Sequence, residues 1–201
     1  MTRWQKIILV SLSLIVLTML VMLAYVLLTV PTSDELPPTP VPKPTYTVPA
    51  AAVTARSAYE QAQAAAQAWQ ADALLVSASA VWRKTSVADL SWPVAWNYQF
   101  YSPGTKKIYL IVVRDGQAGG IRETLSPYKL ATVNIDQWQV DSHQALSAWL
   151  NGGGGGFMRQ YTLIDIQAKL SMQQDKLLWI ISGTNALGTE GLDVVVEAAT
   201  P

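Results

Sequence analysis

The chain has 201 residues, 14 Lys plus Arg against 14 Asp plus Glu, a formal net charge of zero and no cysteine. With no basic cluster longer than Lys106-Lys107 or Arg83-Lys84, it carries no electrostatic footprint for nucleic acid and no polybasic lipid patch. The missing cysteines exclude disulfides, thiolate nucleophiles, lipid attachment through sulfur and thiolate metal sites.

From Ile7 to Val30 the residues are uncharged and mostly aliphatic, with Arg3 and Lys6 before them. As a helix this run is about 36 Å long, enough for a hydrocarbon core of about 30 Å. At about −0.4 kcal/mol for each central Leu, Ile or Val, insertion is favoured by at most about 6 kcal/mol, since the ends of the run lie shallower. Leu27-Leu28-Thr29-Val30-Pro31 offers no small-residue cleavage site, so the pattern predicts an anchor and not a cleaved signal. The cations precede the span and Asp34 and Glu35 follow it, which places residues 1–6 in the cytoplasm and the bulk of the chain on the extracytoplasmic side of a cell membrane.

Residues 31–49 contain Pro31, Pro37, Pro38, Pro40, Pro42, Pro44 and Pro49. Proline fixes φ and removes backbone donors, so an extended linker is expected, with a reach of up to about 60 Å. Next, Ala50 to Ala71 is rich in Ala and Gln, with Tyr59, Ala62, Ala66, Trp69 and Ala73 near one side at helical spacing. Thr47 is the expected cap and Pro49 suits the first turn. Arg56 and Glu60 read as a solvated face.

Strands are expected at Ala73 to Val81, Trp92 to Tyr101 and Lys107 to Asp115, with a less regular stretch from Ile121 to Val140 broken at Ser126-Pro127. Val94, Trp96, Tyr98 and Phe100 alternate with Asn97 and Gln99, as in a strand covered on one face. Ser102-Pro103-Gly104 and Asp115-Gly116 mark turns. Asp141-Ser142-His143-Gln144 has capping-box spacing and opens a second helix, which should end by Asn151, where five glycines begin. Tyr161 to Leu170, Lys176 to Thr184 and Leu192 to Ala199 complete the strands, the last alternating Leu192, Val194, Val196 and Ala198 against Asp193, Val195 and Glu197. The predicted class is α+β: after the anchor and linker, one unit at 50–140 and a second at 141–201, each a helix followed by antiparallel strands. Trp96 and Trp179 occupy similar places in the two.

The closing Val194-Val195-Val196-Glu197-Ala198-Ala199-Thr200-Pro201, preceded by the Trp179 strand, resembles the end of a PepSY-like repeat, which finishes with a valine-rich strand and an Asp-Ala-x-Thr-Gly signature. Glu197 stands for the usual Asp and Pro201 for the Gly, while the first unit keeps the Trp96 strand and the Val112-Val113-Arg114-Asp115-Gly116 turn. The resemblance covers Ala50 to Pro201 as a tandem. It implies a PepSY/cystatin-like packing of helices on antiparallel sheets, in envelope proteins that often bind or inhibit without catalysis.

No catalytic, cofactor-binding or metal-binding residue is assigned. His143 is the only histidine, and its neighbours Asp141 and Ser142 at a helix start do not face it as a triad requires. A histidine zinc site needs further histidines, and no Asp-x-Asp-x-Asp loop offers calcium ligation. Asp165 and Glu197 read as polar strand residues. Gly152, Gly153, Gly154, Gly155 and Gly156 follow a helix and lead through Phe157-Met158-Arg159, so they do not form a phosphate cradle, which precedes one. They read as a flexible connection or as a mobile loop that orders on a partner, with the five glycines and Phe157 as its candidate contacts. Of the tryptophans, Trp82 and Trp92 flank a polar segment and are the candidates for an exposed contact patch. The expected role is a single-pass, non-catalytic interaction module, an accessory subunit with a protein partner in a membrane or envelope complex. The alternative is a small-molecule or peptide-binding regulator of an envelope enzyme, in the manner of a PepSY-like inhibitor, with its cleft between the two units.

Overall fold

Thr54 starts the first helix: its side chain accepts from the Ser57 backbone while Ser57 bonds back to the Thr54 backbone. This capping box sets helix α1 at Ala55–Trp69, seven residues after the expected cap at Thr47, because a Thr-x-x-Ser pair satisfies the orphan first-turn donors where the alanine run before it cannot. The computed structural model describes residues 45–48, 53–84, 90 and 93–199. The predicted membrane span and the linker as far as Pro44 lie outside these residues. No helix among the described residues is long and apolar enough to cross a membrane.

After α1 come β1 (Leu74–Lys84), β2 (Trp96–Ser102), β3 (Lys107–Arg114) and β4 (Gln117–Leu125). A short 3-10 turn at Ile135–Gln137 precedes α2 (Ser142–Trp149), a π-helical turn (Leu150–Gly154) and α3 (Gly155–Gln160). Then follow β5 (Ile164–Gln173), β6 (Lys176–Asn185) and β7 (Gly191–Glu197). The protein is α+β, and its seven strands form one antiparallel sheet in the order β4-β3-β2-β1-β5-β6-β7. The central pair joins β1 to β5, Ser77 facing Ser171 at one end and Arg83 facing Asp165 near the other. Hairpin turns flank it on both sides. At Asp115-Gly116 and at Gln174-Asp175 both residues have positive φ, the twist that suits a two-residue hairpin loop. The irregular Ile121 to Val140 stretch is a strand only as far as Leu125, where β4 ends.

One face of the sheet is covered. Trp96, Tyr98 and Phe100 of β2 point toward α1, whose buried Ala55, Ala58, Ala62 and Ala66 let helix and sheet approach closely. The expected companion Val94 lies outside β2 and is exposed. Tyr98 donates to the Ala55 carbonyl at 2.5 Å, and burial pushes its phenol pKa well above the ordinary range. Arg56 does not merely face solvent: its Nη1 donates to the Trp138 carbonyl at 2.6 Å. An aromatic chain crosses the core from Trp82 to Trp96, Trp179, Trp138 and Tyr59, with ring centroids 5.9 to 6.2 Å apart and mostly edge to face. Trp96 from the first half and Trp179 from the second therefore meet at the seam. The opposite face of the sheet is polar at its centre, with Ser79, Gln99, Gln167 and Lys169, and carries aliphatic residues toward both edges.

Candidate functional site

The capping box expected at Asp141 and Gln144 is present and begins α2. The helix does not stop at Asn151. It runs on as a π-helical turn to a kink at Gly153, whose φ of 124° and ψ of −18° are not helical, and the short helix α3 lies beyond it. In place of the flexible helix-to-strand connection expected at Gly152 to Gly156 stand two packed helical segments that meet at this kink. Five glycines have the weakest helix propensity after proline, so tertiary contacts must supply the stability. The Trp149 indole donates to the Leu192 carbonyl at 3.1 Å, and its ring fills the space that a side chain at Gly154 or Gly183 would need. A Cβ on Gly152 would lie 3.1 Å from Val194, and one on Gly153 3.4 Å from Leu192. Glycine is what lets this turn lie against β7.

A strap of chain without regular secondary structure, Thr45 to Val48, runs along the same helices. The Asn151 carboxamide accepts from the Tyr46 backbone N–H at 2.8 Å and donates to the Tyr46 carbonyl at 2.9 Å. The Val48 N–H donates to Ser147 Oγ at 2.9 Å, and Val48 is buried. The Tyr46 ring occupies the space beside Gly155 where a Cβ would intrude, with the Arg159 guanidinium bonded to its hydroxyl and 5.9 Å from its ring centroid. Asn151, Ser147 and Arg159 were not among the sequence candidates. The available signal was Tyr46 and Val48 alternating with threonine directly after the prolines, two apolar residues at strand spacing.

The remaining candidates scatter. Trp82 is 1% exposed and packs edge to face on Trp96, so it is a core residue where an exposed contact was expected. Trp92 lies outside the described residues. Phe157 is half-buried, its ring 4.8 Å from that of Tyr161. His143 lies on the helix side, beside Trp82 and Ser142. Asp165 and Glu197 point to the opposite face, Asp165 paired with Arg83 at 2.9 Å and Glu197 with Lys176 at 3.3 Å. The sheet therefore separates the histidine from both carboxylates. Asp141 is occupied as the α2 cap and accepts from Arg56 N as well.

Two further carboxylates hold structure. Asp72 accepts from the Ser102 hydroxyl and from Gly104 N–H, both at 2.7 Å, and these bonds lower its pKa. Glu123 accepts from Lys107 at 2.6 Å and from the Trp69 indole at 2.7 Å, which lowers its pKa likewise. Among the described residues no group of three or more His, Asp or Glu could hold a metal ion. Comparison with protein-family models, curated proteins and solved structures finds no match to this chain.

Proposed function

We propose that the chain is a single-pass, extracytoplasmic, non-catalytic interaction module and serves as an accessory subunit of a larger membrane or envelope assembly. The observation that carries this reading is the strap. Tyr46 and Val48, near the end of the proline-rich linker, are stitched to α2, to the π-helical turn and to α3 through Ser147, Asn151 and Gly155, so the folded body begins within the linker and not at α1. Ile121, Leu125 and Tyr128, on and just beyond edge strand β4, are exposed apolar groups open to a neighbour. The separation of His143 from Asp165 and Glu197 supports a role without catalysis.

The tandem PepSY-like reading belongs to this proposal. Its support is that each half of the sheet is preceded by its own helix, and that the halves meet at β1 and β5 with Trp96 against Trp179. Crosslinking in intact membranes, with identification of the attached protein, tests the role. A stoichiometric partner lost on deleting the anchor or residues 53–201 is expected; a clean monomer at native abundance would overturn it. Protease added to intact cells should remove the carboxy-terminal body, and survival until lysis would reverse the orientation.

One observation favours the ligand-binding alternative. A small cavity lies between the first turns of α2 and strands β1 and β2, lined by Trp82, Trp96, His143 and Leu146, which come from both halves of the chain.

A further inference from the structure

The buried indoles of this core find oxygen acceptors, with one exception. Trp96 donates to the Val53 carbonyl at 3.2 Å, Trp138 and Trp179 to the Val140 carbonyl at 2.9 and 2.8 Å, and Trp149 to the Leu192 carbonyl at 3.1 Å. Trp82, equally deep at 1% exposure, has a solvent-shielded Nε1 with no partner among the described residues. His143 Nδ1 is shielded and unpartnered in the same way. Both side chains line the seam cavity, which Val48 of the strap helps to close. Two side chains from different elements, each with an orphaned nitrogen, therefore line one space.

That space has a volume of about 10 Å³, the lower limit of the room one water oxygen needs. We propose that it is an internal hydration site, in which a single water accepts the Trp82 indole N–H and bonds to His143 Nδ1. The donor inventory points to water above other small ligands. An indole nitrogen only donates, which excludes a cation; the apolar Val48, Val53, Leu90 and Leu146 around it offer no countercharge for an anion. Neutral imidazole carries one donor and one acceptor nitrogen, and water serves either tautomer, donating to a bare Nδ1 or accepting from a protonated one. Ser142 lines the cavity too, and its hydroxyl already accepts from Ala55 N at 3.1 Å, leaving its proton for a third bond to the same water. Three partners are the usual complement of a buried water. The lone histidine thereby becomes a hydration partner that links α2 to β1 across the seam.

The full chain, reconstituted in nanodiscs with nitrogen-15 tryptophan, provides the test. Water-selective nuclear Overhauser spectra should show a cross-peak of the sign given by a long-lived water at the Trp82 indole proton, and none at the indoles of Trp96, Trp138, Trp149 and Trp179. His143→Phe, which fills the cavity, should abolish that peak and move the Trp82 proton to the shift of an unbonded indole. A crystal structure of the full chain should place one oxygen within hydrogen-bond distance of both nitrogens, and this readout stands even where the variant does not fold. Absence of the peak in folded wild-type protein would overturn the proposal. So would a protein oxygen from residues 85–92 bonded to Trp82 in place of water.

Discussion

The side chain of Asn151 pairs with both backbone groups of Tyr46, accepting its N–H at 2.8 Å and donating to its carbonyl at 2.9 Å. A carboxamide used this way mimics the edge of a strand and holds an extended residue that no neighbouring strand holds. The same Nδ2 also donates to the Ser147 carbonyl at 2.8 Å, which fixes its orientation. Asn151→Ala removes both strap bonds. At about 0.5–1.5 kcal/mol net for each hydrogen bond, the loss should come to about 1–3 kcal/mol. Hydrogen exchange should show the Tyr46 and Val48 amides losing protection while β5 and β6 keep theirs. Unchanged protection at Tyr46 would mean that Gly155 and Arg159 hold the strap without Asn151.

The glycine run makes opposite predictions for adjacent residues. A Cβ on Gly155 would enter the Tyr46 ring, whereas a Cβ on Gly156 finds only Arg159 Nη2, 4.0 Å away. Gly155→Ala should therefore expel the strap and cost about 1–3 kcal/mol, as overpacking does. Gly156→Ala lies on the exposed side of α3 and should stabilise by about 0.5–1 kcal/mol through lost unfolded-state entropy. Urea midpoints for the two variants measure the contrast. Equal effects of one sign would refute the packed turn and favour a loop.

Local chemistry made part of this architecture legible. Asp115-Gly116 announces a hairpin because both positions need positive φ, and Asp141 with Gln144 announces a helix because the two residues satisfy each other's backbone. Trp96, Tyr98 and Phe100 reveal the covered face by period alone. What escaped depends on distant partners. Nothing near Ala78 or Leu170 states that β1 and β5 pair across about ninety positions of chain, and so the single continuous sheet was not readable. Gly152 to Gly156 looked flexible because propensity weighs only the residue itself; Trp149, Leu192 and Tyr46, which pack against the run, are not visible to it. Trp82 looked exposed because a polar segment follows it, although its own alternation with Ala78 and Ala80 placed it on the covered face.

Acid should loosen the α1 end of the sheet before its centre. Asp72 is held low by its bonds to Ser102 and Gly104, and Glu123 by Lys107 and Trp69. A carboxyl whose folded pKa is depressed contributes stability that is fully present above its unfolded value, about 4, and is lost as pH falls through the folded one. The unfolding midpoint in urea should accordingly hold from pH 7 to about 5 and decline below about 4. Asp72→Asn and Glu123→Gln should each flatten that decline, with a smaller difference between pH 7 and pH 3 than in the wild type. An acid limb unchanged in the double variant would assign it to other carboxyls.

One carbonyl serves two tryptophans. Val140 O accepts from the Trp138 indole at 2.9 Å and from the Trp179 indole at 2.8 Å, and the two rings meet edge to face at 6.1 Å. Replacing either residue with Phe leaves a ring in place and leaves the carbonyl one donor. Each single change therefore loses one hydrogen bond and some packing, with no orphan created. Changing both strips the carbonyl of its two indole donors inside a core where Trp138, Trp179 and Val140 are buried, and an unsatisfied buried acceptor adds about 1–3 kcal/mol. The double variant should fall short of the sum of the singles by that amount, a coupling that chemical denaturation of all four proteins resolves. Strict additivity would show that the carbonyl finds another donor once the indoles are gone, and a double variant more stable than the sum would show that the ring contact outweighs the shared acceptor.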